Sequence, residues 1–117
     1  MKKLLLKVVV MVLTAAIPTI CAEIDGRWVG VKDGPDGKKM ELRYRFRAEG
    51  NTLIGLIETR LGGGPISEGK IDGESIEFKL ISPDLTVINI GTLSGDEIQL
   101  TETSGAVSNK VILKRIK

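Results

Sequence analysis

The sequence predicts an all-β protein built as a single eight-stranded up-and-down antiparallel β-barrel. In several segments, apolar and charged side chains alternate with a period of two, as expected for strands with one buried and one solvent-facing side. Gly-containing turn sequences recur between these segments, and three similar ones place their glycines about 22 residues apart. No segment beyond residue 22 shows sustained helical periodicity, which favours strands throughout.

The first 22 residues are typical of a secretory signal peptide. Three lysines precede a short apolar run at 8–17, and small residues allow cleavage after Ala22. This run is shorter than the roughly 20 apolar residues of a membrane-spanning helix, so an uncleaved anchor is the weaker alternative. We expect a signal peptide at 1–22, a barrel domain at 23–117, and export to the periplasm or the extracellular space.

Cys21 leaves a second processing route open. Bacterial lipoproteins are cut just before a lipid-modified cysteine that usually follows a small residue. Here Ile20 precedes the cysteine and is bulkier than that position favours. A lipid anchor at Cys21 is therefore the minority alternative to cleavage after Ala22.

Cleavage changes the charge of the chain. Fourteen of the 17 Lys and Arg residues would remain against 15 Asp and Glu, a net charge near −1 that does not suggest nucleic acid as a partner. No cysteine would remain, so a domain of about 95 residues would depend on its core rather than on disulfides. We expect no nucleic acid partner and no stable membrane span after cleavage.

The alternation is clearest in KMELRYRFR at 39–47, and ESIEFKL, DEIQL and NKVILKRIK repeat it. The predicted strands are 26–32, 38–48, 52–60, 65–71, 74–82, 85–93, 96–103 and 108–116. The side chains expected to face inward are Met40, Leu42, Tyr44, Phe46, Leu53, Ile57, Ile76, Phe78, Leu80, Ile98, Leu100, Val111 and Leu113.

Glycine turns indicate how these strands connect. Gly50, Gly73 and Gly95 suit tight hairpins, because glycine readily adopts a positive φ. LGGGP at 61–65 is the loosest connection. Each strand would pair with its neighbour in sequence, and closure into a barrel would remove the exposed edges that invite aggregation. A two-sheet sandwich is the main alternative.

Trp28 is the only tryptophan, and it lies at the start of the first strand. In a closed meander of eight strands, the last strand pairs antiparallel with the first, which brings Arg115 beside Trp28. Both residues have inward parity. We expect the guanidinium of Arg115 to stack on the indole and Trp28 to plug this end of the barrel.

Gly26, Trp28 and Arg115 resemble the Gly-x-Trp and the last-strand Arg of the calycins, the group of lipocalin, fatty-acid-binding and avidin barrels. Over 24–116 the chain also resembles a small lipocalin-like domain of secreted bacterial proteins, which occurs alone or attached to extracellular hydrolases. True lipocalins are longer and carry a helix before the last strand, and the polar ligand residues of avidins have no counterpart here. The resemblance therefore implies the fold and hardly any function.

Nothing in the sequence assembles a catalytic or metal site. There is no histidine, and cleavage would remove the only cysteine. The carboxylate pairs Asp33/Asp36 and Asp96/Glu97 lie in turns, where such residues commonly have structural roles. We expect no catalytic residue, no metal and no cofactor, and an enzyme is the least favoured class.

We therefore expect a non-enzymatic binding module for a small apolar or glycan ligand. The predicted ligand-binding residues, at the barrel mouth and in its interior, are Trp28, Tyr44, Phe46, Phe78 and Arg115. The bulky inward side chains favour a packed core or a shallow pocket. Inward glycines at 30, 55 and 91 would instead leave space or mark bends.

Two surface features leave other partners open. The alternative function is an exported protein-interaction or inhibitor domain acting through the loops at 33–38 or 61–65. The arginine row Arg43, Arg45 and Arg47 would bind an anionic partner or, as we favour, form the outer face of its strand opposite acidic residues such as Glu58.

Overall fold

The computed structural model describes residues 23–117, which form nine antiparallel strands. They are β1 Gly26–Asp33, β2 Lys39–Glu49, β3 Thr52–Thr59, β4 Gly62–Pro65, β5 Ser67–Asp72, β6 Ser75–Ser82, β7 Leu85–Ser94, β8 Glu97–Ser104 and β9 Val107–Ile116. The strands pair in the order β2-β1-β9-β8-β7-β6-β5-β3-β4, and β2 also pairs with β3. Because β4 and β5 together occupy the position of one strand, the molecule is a closed eight-stranded antiparallel barrel, which confirms the predicted fold class.

The observed strands follow the predicted ones closely, with one correction. Residues 61–65, predicted to be a loose connection, include strand β4, which pairs with β3 from Leu56↔Pro65 to Thr59↔Gly62. The turn is closed by Thr59, whose hydroxyl donates to Gly62 O at 2.9 Å and accepts from Leu61 N at 3.1 Å. The predicted strand 65–71 is broken at Ile66, which separates β4 from β5.

The repeated glycines occupy the turns that the sequence indicated. Gly50, Gly73 and Gly95 each have a φ of 62°, a conformation that side-chain-bearing residues rarely adopt. Each lies in a short turn between two paired strands of a hairpin. The regular spacing of these glycines therefore reflects repeated hairpin geometry.

The buried residues form one core inside the barrel. Its apolar members are Ile24, Trp28, Met40, Leu42, Tyr44, Phe46, Leu53, Ile76, Phe78, Leu93, Ile98, Leu100, Val111 and Leu113. Ile57 and Leu80, also predicted to face inward, are only half-buried. The inward parity read from the sequence is thus confirmed, and burial is weakest near these two residues.

The inward glycines do not leave empty space. A Cβ on Gly30 would lie 2.7 Å from Leu113 Cδ2, and one on Gly91 would lie 2.6 Å from Leu100 Cδ2. A Cβ on Gly55 would lie 2.6 Å from the backbone oxygen of Arg45. The absence of a side chain at these positions lets neighbouring groups pack closely, which agrees with the favoured packed core and not with the alternative that these glycines leave space.

Residues 1–22 lie outside the described residues. The signal peptide, the cleavage after Ala22 and the lipid anchor at Cys21 therefore stay predictions. Across residues 23–117, no helix has the length and apolar character required to cross a membrane.

Candidate functional site

One end of the barrel is closed around Trp28. The indole is 0 % exposed, and its Nε1 donates to Ile24 O at 2.9 Å. Ile24 itself is fully buried, so residues just before β1 fold back over the barrel end. Trp28 is also the cross-strand partner of Arg115, as expected from the closed topology.

Arg115 holds this closed end together. Its guanidinium carbon lies 4.4 Å from the centre of the Trp28 ring, a contact that contributes about 0.5–2 kcal/mol. Nη1 donates to Asp25 O at 2.9 Å, Nη2 donates to Glu23 O, and Nε donates to Asp96 Oδ1 at 2.8 Å. The hydrogen bond from Arg115 to Asp96, together with one from Lys117, lowers the pKa of Asp96. Arg115 thus ties the residues before β1 and the turn at Asp96 to the closed end.

Three aromatic rings pack together in the core of the barrel. Tyr44 and Phe46 are stacked with ring centres 5.0 Å apart, and Phe78 lies 5.6 Å from each of them. These distances are typical of favourable aromatic pairs. Tyr44 is the cross-strand partner of Trp28, so the cluster extends from the closed end toward the opposite end of the barrel.

At that opposite end the barrel wall is split. β5 pairs with β6 only as far as Ser67↔Lys79, with a register shift between Ser67 and Lys70. Within residues 23–117, no pairing joins β4 to the last residues of β6. Glu68, at the irregularity, has a positive φ of 50°. We call this gap between β4 and the β6–β7 hairpin the seam.

The seam contains a pocket of about 360 Å³. Its lining residues are Ile57, Gly63, Gly64, Pro65, Ser67, Leu80, Ile81, Ser82, Leu85 and Val87. Ile57 and Leu80 belong to the inward-facing set, and Val87 is the cross-strand partner of Leu80. The pocket therefore leads from the surface to the half-buried side of the core, and its volume lies in the lower part of the range for small-molecule sites.

Polar side chains lie deeper at the split end. Glu102 is 4 % exposed and accepts a 2.8 Å hydrogen bond from Lys32, which reaches inward from β1. Asn89 is fully buried and is the cross-strand partner of Glu102. Burial raises the pKa of the Tyr44 hydroxyl, and the charge of Glu102 raises it further, so this hydroxyl stays protonated.

The arginine row lies on the outer face of β2, as favoured from the sequence. Arg43 has Glu58 as its cross-strand partner and donates to Glu41 at 2.6 Å, and Arg47 donates to Glu49 at 2.7 Å. Arg45 differs, because its partner on β1 is Arg27, and like charges directly opposite are unfavourable.

An outer groove of about 630 Å³ lies beside these arginines. It is lined by Arg27, Arg45 and Arg47 together with the exposed apolar residues Ile54 and Leu56. Phe46 and Gly55 also line this groove, and Pro65 lines both the groove and the pocket at the seam. Its chemistry would suit an anion that has an apolar part.

The five predicted site residues form two adjoining groups inside the barrel. Trp28 and Arg115 lie together at the closed end, and Tyr44, the cross-strand partner of Trp28, joins them to the aromatic cluster with Phe46 and Phe78. Their roles in ligand binding stay predictions.

Sequence reasoning missed Asn89, Glu102 and Lys32, as well as the seam. A signal for the three residues was present: in their strands each has the same parity as apolar residues that face inward.

The described residues offer no conventional metal centre. No group of three or more His, Cys, Asp or Glu in residues 23–117 is arranged to hold a metal ion. The turn carboxylates make local contacts instead: Asp36 accepts from Arg60 at 2.8 Å and Asp33 pairs with Lys39 at 3.0 Å.

Comparison with known proteins yields a similarity in structure. No family model matches the sequence, and no curated protein matches it. A solved structure of Schistosoma mansoni fatty acid binding protein in complex with arachidonic acid is similar, with a TM-score of 0.60 and 14% sequence identity. The match covers 83% of this chain and 98% of that chain. Residues 23–117 therefore have a calycin-type β-barrel fold, similar to that of a fatty-acid-binding protein.

Proposed function

We propose that this protein is a non-enzymatic binding module that takes a small apolar molecule into the pocket at the seam. The observation that carries the proposal is the pocket of about 360 Å³ whose inner lining includes Ile57, Leu80 and Val87. These side chains would cover an apolar ligand without requiring the packed core to open, because they are only half-buried.

The residues at the rim of the seam also favour a binding site at this end of the barrel. Leu61, Ile81 and Leu85 lie on the two hairpins that flank the opening, and each exposes more than half of its surface. Exposed apolar groups around a pocket are characteristic of binding sites. An apolar ligand at the seam would reduce the contact of these side chains with water.

The sequence-predicted residues have separate roles in this proposal. Tyr44, Phe46 and Phe78 form the wall below the ligand, with Tyr44 nearest because it is the cross-strand partner of Ile57. Trp28 and Arg115 act at a distance by closing the other end. A protein with a similar fold was solved in complex with arachidonic acid, which supports an apolar ligand. The similarity by itself establishes only the fold.

Export belongs to the same proposal and rests on the sequence of residues 1–22. The resemblance to lipocalin-like domains of secreted bacterial proteins supports a periplasmic or extracellular location, with a lipid anchor at Cys21 as the alternative. A glycan ligand and a partner protein bound through 33–38 or 61–65 remain the alternative functions. We favour the apolar ligand because the inner lining of the seam is apolar.

The test uses the neutral fluorescent probe N-phenyl-1-naphthylamine and the variant Gly64→Leu. Gly64 lines the pocket, and an added Cβ there would have no neighbour within 4 Å, so leucine should occupy the pocket without distorting β4. We expect wild type to enhance probe fluorescence saturably and Gly64→Leu to lose at least about tenfold in affinity.

Two controls complete the experiment. Leu56→Ser, in the outer groove, should bind the probe like wild type, and Gly64→Leu should unfold at the wild-type denaturant concentration. Undiminished binding by Gly64→Leu, or loss of binding in Leu56→Ser alone, would show that the pocket at the seam is not the site.

A further inference from the structure

Two polar atoms inside the barrel have no hydrogen-bond partner among the described residues. They are Tyr44 Oη and Asn89 Oδ1. Tyr44 is 2 % exposed and Asn89 is 0 % exposed, and the amide nitrogen of Asn89 makes only a long 3.5 Å contact with Val87 O. Buried polar groups are nearly always paired, so this pair of atoms points to a partner that enters the barrel.

Tyr44 and Asn89 are both strand neighbours of residues that line the pocket at the seam. Tyr44 pairs across strands with Ile57, and Asn89 follows Val87 by two residues on the inward face of β7. Ile57 and Val87 both line the pocket. A molecule that extends from the pocket toward the core along these strands would reach Tyr44 and Asn89.

The charges around this position are already balanced. Glu102 is the cross-strand partner of Asn89, and its carboxylate is paired with Lys32 at 2.8 Å. The negative charge of Glu102 also acts on Tyr44. A second carboxylate at this depth would face Glu102 and would find Lys32 already engaged.

Building on the proposed function, we infer that the ligand is an uncharged amphiphile with a hydroxyl or primary amide head, bound by Tyr44 and Asn89. Such a head both donates and accepts hydrogen bonds. It can donate to Asn89 Oδ1 and accept from the Tyr44 hydroxyl, which satisfies both atoms. A carboxylate only accepts, so it leaves Asn89 Oδ1 unpaired and adds charge beside Glu102.

The first test compares octan-1-ol with octanoate near neutral pH, because the two probes share chain length and differ in the head. Binding is followed by nuclear magnetic resonance titration of the 15N-labelled protein. We expect octan-1-ol to bind at least about tenfold more tightly and to shift the side-chain amide signals of Asn89.

Three variants test the assigned roles. Tyr44→Phe removes one of the unpaired atoms, so it should keep or raise the stability of the free protein while weakening octan-1-ol binding. Asn89→Leu should weaken octan-1-ol in the same way. Glu102→Gln frees Lys32, so it should strengthen octanoate binding by about tenfold and remove the preference for the alcohol.

The outcomes separate the two proposals. If neither probe binds, and N-phenyl-1-naphthylamine does not bind either, the proposed function itself fails. If both probes bind and Gly64→Leu blocks both, the pocket is confirmed, and equal affinities or tighter octanoate binding in wild type would overturn the inference about the head. Octan-1-ol binding that is unchanged in both Tyr44→Phe and Asn89→Leu would also overturn it.

Discussion

The two ends of this barrel differ in how completely their side chains are buried and their polar groups are paired. At the closed end, Trp28 is fully buried, and the polar groups of Trp28 and Arg115 are paired with backbone oxygens and Asp96. At the split end, a strand pairing is missing at the seam, and large apolar side chains such as Leu61 and Ile81 are exposed. The closed end therefore maintains the fold, and the split end is where we propose that the ligand binds.

The contrast extends to the buried polar groups. Arg115 has several acceptors within the protein, whereas Tyr44 Oη and Asn89 Oδ1 have no partner among the described residues. A protein can tolerate an unpaired buried polar atom where a ligand supplies the missing hydrogen bond. Functional sites commonly contain such locally unfavourable features. Substitutions at the closed end should consequently lower stability, whereas substitutions at the split end should mainly weaken ligand binding.

The largest expected effect is at the closed end. Trp28→Ala should lower the free energy of unfolding by about 3–5 kcal/mol, because it removes a fully buried indole and the surface on which Arg115 stacks. Ile81→Ser, at the exposed rim of the seam, should change it by less than about 0.5 kcal/mol. Urea unfolding followed by circular dichroism gives both values.

Equal stability losses in these two variants would end the distinction between the ends. A Trp28→Ala protein that unfolds like wild type but no longer binds N-phenyl-1-naphthylamine would assign Trp28 to the ligand site. That result would restore the role that the sequence predicted for it.

The closed end could be predicted from the sequence because it depends on parity and topology alone. Once eight alternating strands close, Trp28 and Arg115 must meet on the inward face, and the structure places them as cross-strand partners. The turn glycines were equally readable, because a positive φ strongly favours glycine. These features are local or follow from the order of the strands.

The seam could not be predicted in the same way. It arises from a register shift between Ser67 and Lys70, which depends on how β5 meets two neighbouring strands at once. Three consecutive glycines at 62–64 concealed β4, because their lack of side chains removes the alternation that marks a strand. Asn89 and Glu102 share the inward parity of the apolar residues in their strands, but Asn and Glu are seldom buried, so parity alone did not identify them.

A smaller effect should separate two adjacent glycines of β4. A Cβ on Gly63 would lie 2.1 Å from the backbone oxygen of Ile57, whereas one on Gly64 would meet nothing within 4 Å. Gly63→Ala should therefore displace β4 from β3 and lower the free energy of unfolding by about 1–3 kcal/mol. Gly64→Ala should leave it unchanged or raise it by up to about 1 kcal/mol.

Hydrogen exchange at β3 and β4 amides checks the structural part of this prediction. Faster exchange in Gly63→Ala alone would agree with the close approach of the two strands. Equal behaviour of the two alanine variants would mean that β4 does not lie against β3 as described, and the seam would lose one of its walls.

The smallest expected effect is a loss of stability on acidification, to which one carboxylate at each end contributes. Asp96 at the closed end has its pKa lowered by Arg115 and Lys117, and Asp36 at the split end has its pKa lowered by Arg60 and the Lys38 amide. Because each folded-state pKa lies below the ordinary value of 3.8, both carboxylates stabilise the fold above that pH. Their contribution is lost as the pH falls through the folded-state values.

We expect wild type to lose stability between about pH 5 and about pH 3, and Asp96→Asn and Asp36→Asn each to lose less. Both carboxylates are exposed, so solvent screening keeps each effect small. Asp96→Asn should show the greater change, because Asp96 is held by two cations next to Trp28, whereas Asp36 is held by one. Urea midpoints at the two pH values test this order, and a larger change in Asp36→Asn would mean that the loops at the split end are held more firmly than the closed end.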